Sequence, residues 1–215
     1  MVLLVLLSPL LLAVAVAVKA TSPGPALFRQ HRPGRNARDF TIFKFRTMLD
    51  GAESAELALA ARSDPQVTGL GRHMRKWKLD ELPQLLNVLR GEMSFVGPRP
   101  LPKGQWDAPA MRALVQRELI QEAASVQSVR PGITSLATLS FRNEEELLAA
   151  LSPADVETAY LRVITPLKLR IESDYLRRAS FAGDVRILLK TAIRVFRRGN
   201  EDGDVRMKEM LSKTN

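Results

Sequence analysis

The chain contains no cysteine. Disulfides, thiolate metal sites and a cysteine nucleophile are therefore excluded. Its only histidines are His31 and His73, too few to suggest a zinc centre. Aromatic residues make up 6% of the chain, thin for stacking nucleic-acid bases, and no nucleic-acid module is recognisable. No Walker-type glycine-rich loop is present, so any phosphate chemistry is not that of a P-loop NTPase. Acidic residues are outnumbered: 23 Asp and Glu stand against 32 Lys and Arg, a formal charge of +9. That surplus calls for an anionic partner, whether nucleic acid, phospholipid headgroups or a phosphorylated substrate.

The 215 residues are 46% hydrophobic and 26% charged. This suits one medium globular domain with a small appendage. The appendage is at the start. Val2 to Val18 is apolar except for Ser8 and reaches roughly 25 Å as a helix, just under a bilayer core. A cleaved signal peptide, a spanning helix and a re-entrant element all compete here. No basic residue precedes the run, which weighs against the signal peptide. In "LLSPLLL", Pro9 removes an N–H and bends or breaks the helix, and Ser8 can satisfy a carbonyl freed by that break. By these residues alone, a mildly kinked spanning helix is the simpler reading. Under either membrane reading the Lys/Arg-rich remainder belongs on the cytoplasmic side.

The turn-forming "TSPGP" ends the apolar run. "ALFRQHR" and "FTIFKFR" read as two strands joined by "PGRNARD". Alternation puts Ile42, Lys44 and Arg46 on one strand face and Phe43 and Phe45 on the other. The two cations there are either a solvated edge or a paired cationic face for phosphate. Residues 51–61 read as helical, "SDPQVTGLGR" as a loop and "RHMRKWK" as a short basic helix. "DELPQLLNVL" begins a helix that ends at Arg90-Gly91. "SFVGPRPLP" must be extended or turning. Helices follow near 106–124, "VRPGITSLATLSF" is β-like, and the rest is mostly helical to about Arg198. In "DVRILLKTAIRVFRR", Arg186, Lys190 and Arg194 recur every four residues while Leu189, Ile193 and Phe196 line another face. That pattern fits a helix lying in a membrane interface, or a surface helix packed on a core.

"KWKLDELPQ" places two acids, Asp80 and Glu81, in a basic neighbourhood. Helix capping explains them simply, since Asp suits an N-cap and Glu a first turn. The neighbours suggest more. Arg75, Lys76 and Lys78 precede the acids, and Arg99 lies in the downstream "GPRP" turn. Carboxylates among fixed cations stay ionised, and such places bind phosphate. Adjacent carboxylates can share Mg²⁺, and Asp is a nucleophile toward phosphorus. The chemistry suggested is phosphoryl transfer.

The strings "GPALFRQHRPGRNARDFTIFKFRTM", "LDELPQLLNVLRGEMSFVGPRP" and "RPGIT" resemble the bacterial sugar transferases, the small monotopic phosphoglycosyl transferases. The similarity continues in "SDYLRRASFAGDVRILLKT", with Tyr175, Ser180, Asp184, Lys190 and Thr191 at family-like spacing. The resemblance implies an α+β, mostly helical fold. It has a re-entrant membrane helix at residues 1–20 broken at Ser8-Pro9, a short β-hairpin, and interfacial amphipathic helices. A catalytic domain spans 21–198, and 199–215 form a polar tail. It implies transfer of a sugar 1-phosphate from a UDP-sugar to undecaprenyl phosphate, releasing UMP. The enzyme would act at the cytoplasmic face of the bacterial inner membrane, among membrane phospholipid, with no nucleic acid and with a homodimer allowed. Asp80 falls on the family nucleophile and Glu81 on its acidic partner, both beside Mg²⁺. Arg75 and Arg99 fall on phosphate- and nucleotide-binding positions, Lys44 and Arg46 in the basic strand motif. After "RPGIT" this chain departs from many relatives with "SLATLSFRN", keeping Arg142 and Asn143, and sugar preference is expected to reside there. Most relatives also carry a basic lead-in before the membrane segment, which this sequence lacks.

Overall fold

A computed structural model describes residues 2–49, 66–141 and 158–196. The region at 51–61 read as helical, together with Arg142, Asn143 and the polar tail, lies outside the described residues.

Helix α1 runs from Val2–Thr21 with Pro9 inside it. Ser8 Oγ donates to the Val5 carbonyl at 2.7 Å. That carbonyl would normally accept from the N–H of residue 9, which proline lacks. The serine thus does what its place before the proline suggested. The outer flank of α1 exposes Val5, Leu6, Leu12 and Val16. One stripe near its end, Leu11, Val14, Ala15 and Val18, packs against Phe45 and Met74. Val18 is fully buried there, a gain of about 1.5–3 kcal/mol.

Strands β1 (Leu27–Pro33) and β2 (Asp39–Phe45) form the expected antiparallel hairpin, with Phe28 opposite Lys44 and Arg32 opposite Phe40. Both faces of β2 are covered. Phe40 and Ile42 pack with Met93, Val88 and Ile133, while Phe45 faces the end of α1. Arg90 and Arg29 lie over the ring of Phe43. The free edge of β2 is held by Asn87, whose Oδ1 accepts from Phe43 N and whose Nδ2 donates to the Thr41 carbonyl. A solvated strand face, one of the sequence readings, is not what forms.

Helix α2 (Gly69–Trp77) starts on Thr68, whose side chain accepts from Gly71 N. A Cβ on Gly71 would lie 2.1 Å from the Thr47 carbonyl, so only glycine lets α2 press onto the end of β2. The helix ends at Lys78 in the left-handed region (φ 56). A 3₁₀ segment, Leu79–Gln84, follows, and the short helix α3 (Leu85–Leu89) completes the run. Pro83 withholds one N–H, which favours the tighter turn where a plain α-helix was expected.

Strand β3 (Ser94–Val96) pairs in parallel with β4 (Gly132–Thr134), a pairing the sequence did not announce. Between them run α4 (Lys103–Asp107), α5 (Pro109–Glu118) and α6 (Ile120–Gln127). Residues after β4 are helical, as α7 (Leu136–Ser140), rather than β-like. The reason is capping: Ser135 Oγ accepts from Thr138 N, and the Glu172 carboxylate accepts from Ala137 N. A π-turn at Tyr160–Ile164 leads into α8 (Thr165–Arg177), and α9 (Phe181–Phe196) closes the described chain. The architecture is α+β and mostly helical, with the short antiparallel hairpin as expected.

Candidate active site

The left-handed turn at Lys78 swings the 3₁₀ segment across the hairpin. This brings Asp80 and Glu81 beneath Lys44. Both acids are buried, 7% and 6% exposed, so neither is a solvated cap residue.

Their environments differ. Glu81 is fully engaged. Lys44 Nζ lies 3.2 Å from its Oε1, Arg99 Nη1 donates to its Oε2 at 3.3 Å, and Arg99 Nη2 donates to its Oε1. Burial alone would raise its pKa, but Arg99 and Lys44 outweigh that and hold it well below the usual carboxylate range. Asp80 has a buried Oδ1 with no hydrogen-bond partner. Burial, and then the neighbouring Glu81 charge, raise its pKa; Lys44, Lys78 and Arg75 pull in the opposite direction. One carboxylate is thus a fixed anchor for cations, and the other keeps an uncommitted oxygen among them.

Arg75, one turn after Gly71, donates from Nε to Thr47 Oγ1 at 2.9 Å. That holds it at the end of β2, within electrostatic reach of Asp80. Lys44, Arg75, Asp80, Glu81 and Arg99 therefore converge. Arg46 goes elsewhere: it is 3% exposed and donates from Nη2 to both the carbonyl and the hydroxyl of Ser22, just past α1. Its Nε and Nη1 are buried and lack a partner. Ser8 and Pro9 lie in α1, and Arg142 lies outside the described residues.

A further cation near Glu81 escaped the sequence reading. Arg32, on β1, is close enough to Arg99 and Glu81 for both to shift its pKa. Burial first, then Arg99, bring it down to about 10. A lone arginine in a strand gives no warning of this. Only the hairpin register, which puts Arg32 on the Lys44 face, could have found it.

The arrangement is a partly buried cationic cradle over two buried acids, with one uncommitted acid oxygen. It fits a group carrying several phosphoryl oxygens. It also fits Mg²⁺ in part. The hard ion takes few protein oxygens and completes its shell with substrate phosphate and water, and Asp80 Oδ1 is such an oxygen. Glu81 could join it only by loosening Lys44 or Arg99.

The family model for bacterial sugar transferases matches residues 1–198. The chain belongs to that family. A UDP-glucose:undecaprenyl-phosphate glucose-1-phosphate transferase of Xanthomonas campestris pv. campestris is 39% identical over 87% of this chain and 35% of its own length. One of the same name from Caulobacter vibrioides is 39% identical over 86% of this chain and 62% of its own. The exopolysaccharide production protein PSS of Rhizobium leguminosarum bv. phaseoli is 36% identical over 91% of this chain and 90% of its own. The chain thus spans between about a third and two thirds of the first two relatives, and nearly all of the third.

In this bacterial sugar transferase, Tyr175, Asp184 and Thr191 join secondary elements, and Ser180 caps the start of α9. Tyr175 OH donates to Asp184 Oδ1, Ser180 Oγ accepts from Gly183 N, and Thr191 Oγ1 lies 2.8 Å from Thr134 Oγ1. The first and third of these contacts tie α9 to α8 and to β4, beside the strand that leads into the Arg99 turn.

Proposed function

We propose that the chain moves a sugar 1-phosphate from a UDP-sugar to undecaprenyl phosphate, at the cytoplasmic face of the inner membrane. The observation that carries this reading is the buried, unpartnered Asp80 oxygen among Lys44, Lys78 and Arg75, in a chain of the bacterial sugar transferase family. The names of the Xanthomonas and Caulobacter relatives supply the substrate class.

Asp80 attacks the phosphorus that bears the sugar. A new Oδ–P bond forms, the P–O bond to UMP breaks, and UMP leaves with the electron pair. An oxygen of undecaprenyl phosphate then attacks the same phosphorus, the Oδ–P bond breaks, and Asp80 recovers its carboxylate. Arg75 and Lys78 compensate charge on the transferring phosphoryl group, and Arg99 and Lys44 orient the diphosphate, both anchored on Glu81. Bound Mg²⁺, held by Asp80 with Glu81 at hand, would neutralise phosphate charge that otherwise repels the attacking carboxylate.

The acceptor's head stays at the lipid surface, so the site must sit at that depth. Helix α1 supports this: its stretch Leu3–Thr21 is 19 residues of strongly apolar helix with an unburied outer flank, and a re-entrant turn at Ser8-Pro9 would let it enter and leave by one face. Helix α9 supports it too. It packs inward through Ile187 and exposes Phe181, Leu189 and Ile193 beside Arg186 and Lys190. Arg46, bonded to Ser22, links the end of α1 to the strand that carries Lys44.

The test is a UMP-release screen over several UDP-sugars with undecaprenyl phosphate, with and without Mg²⁺, on wild type and Asp80→Asn. Wild type should release UMP and form a covalent adduct from labelled donor, and Asp80→Asn should do neither. Full activity in Asp80→Asn would remove Asp80 from the reaction. No UMP from any donor would overturn the assignment.

A further inference from the structure

Gln30 and Arg32 lie two residues apart on β1 and share the face that carries Lys44. Gln30 Oε1 accepts two hydrogen bonds from the Arg32 guanidinium, from Nε at 3.0 Å and Nη2 at 2.6 Å. The remaining arm, Nη1, donates to the Pro100 carbonyl at 2.5 Å. Pro100 directly follows Arg99, whose guanidinium grips Glu81.

The turn that carries Arg99 needs such support. Pro98, Pro100 and Pro102 have no N–H, so the segment has few donors with which to fix itself. On one side the Pro98 carbonyl accepts from Gly132 N at 3.0 Å. On the other side, Arg32 holds Pro100. Arg99 is thus presented from a turn pinned at both shoulders.

A plain structural pin would not require this chemistry. A neutral donor could hold one carbonyl, whereas a second guanidinium placed near Arg99 meets like-charge repulsion in a partly buried site. That repulsion helps bring Arg32 down to about 10. Arg32, Lys44 and Arg99 gather around Glu81, and even with Asp80, which also acts on Lys44, the positive charges outnumber the acids. The excess positive charge suits a ligand carrying more than one negative charge, and a diphosphate is such a group.

We propose that Gln30 and Arg32 form a positioning pair that locks the Pro98–Arg99–Pro100 turn in the orientation that the donor's diphosphate requires. This rests on the reading that Arg99 binds the donor. Gln30 acts on Arg32, Arg32 acts on the turn, and neither needs to touch the reacting phosphorus.

The full chain in detergent is titrated with UDP by calorimetry, which makes the readout independent of the donor sugar. Gln30→Leu removes the acceptor. Arg32→Lys keeps the charge but loses the fork. Gln30→Glu restores an acceptor for both N–H groups. Gln30→Leu and Arg32→Lys are expected to weaken UDP binding about tenfold, with thermal midpoints close to wild type, and Gln30→Glu to stay within about threefold of wild type. The proposal is overturned if Gln30→Leu binds UDP as wild type does, or if Gln30→Glu is as impaired as Gln30→Leu. It also falls if the weakening merely tracks a lowered midpoint. Arg99→Gln runs alongside. If it weakens UDP binding while Gln30→Leu does not, the positioning role alone is lost. If Arg99→Gln has no effect, or wild type does not bind UDP, the reading of Arg99 falls and the proposal with it.

Discussion

Arg99 donates to both carboxylate oxygens of Glu81, while the adjacent Asp80 keeps a buried oxygen with no partner. Adjacent acids of the same charge are thereby given separate tasks. If Glu81 is the anchor, its loss strands Lys44, which is itself largely buried. Glu81→Gln is expected to lower stability by about 3 kcal/mol, as breaking one side of a buried ion pair does. Glu81→Gln with Arg99→Gln should cost less than the sum of the two single changes, with a coupling of about 1–2 kcal/mol. Denaturant titration of the four variants of this cycle measures it. Simple additivity would mean that the two side chains do not cooperate in the folded protein.

Gly132 and Gly97 cross at the β3–β4 pair. A Cβ on Gly132 would stand 2.2 Å from Gly97 N and 2.5 Å from its carbonyl oxygen. The obstruction is backbone held in a ladder by Ser94 N to Pro131 O and Gly97 N to Thr134 O, so it cannot swing aside. Gly132→Ala should cost at least about 2–3 kcal/mol and displace the Arg99 turn. Gly69 is the contrast: a Cβ there meets nothing within 4 Å. Gly69→Ala should be neutral or stabilising by up to about 1 kcal/mol. Thermal melts of both variants decide it. Equal effects would mean that the close approach is not rigid.

The readable parts of the sequence were those with a local cause. The hairpin followed from two alternating segments around "PGRNARD", and the end of α3 from the glycine at 91, which takes a positive φ in the fold. The Ser8-Pro9 pair foretold the bond to Val5. The acids at 80 and 81 were legible as candidates because of their motif. What was not legible is what distance along the chain conceals. The β3–β4 pair joins residues nearly forty apart in parallel, and Glu172 caps α7 from another helix. Arg46 looked like a partner of Lys44, yet it is drawn to Ser22 by the packing of α1. Arg32 and Gln30 carried no signal until the hairpin register and the Pro100 carbonyl were seen together.

The exposed face of α9 gives a prediction about the membrane. Leu189 and Ile193 are 60% and 50% exposed, one turn apart. Leu189→Glu with Ile193→Glu should leave the folded unit intact, since neither side chain is core. It should reduce sedimentation with anionic vesicles several-fold once α1 is saturated with detergent, because interfacial binding scales with buried apolar area and with charge. Unchanged partition would show that α9 does not meet lipid.

Glu172 provides the pH test. It is 4% exposed, it accepts from Ala137 N, and its Oε2 has no partner. Burial pushes its carboxyl up to about 7, against the opposing pull of Ser135, Ala137 N and Lys168. The folded protein therefore holds this proton where the unfolded chain, near 4.5, has released it. In that window the unfolded state binds fewer protons, so stability falls as pH rises. The contribution is fully present below about 4.5 and is lost by the time pH passes about 7, roughly 3 kcal/mol at most. Glu172→Gln cannot ionise, yet its amide oxygen can still accept from Ala137 N. The difference in unfolding free energy between wild type and Glu172→Gln, followed from pH 4.5 to 8, should move steadily against wild type and then level off. A flat difference across that range would mean that Glu172 ionises in the folded protein as easily as in water, and that the cap on α7 is open to solvent.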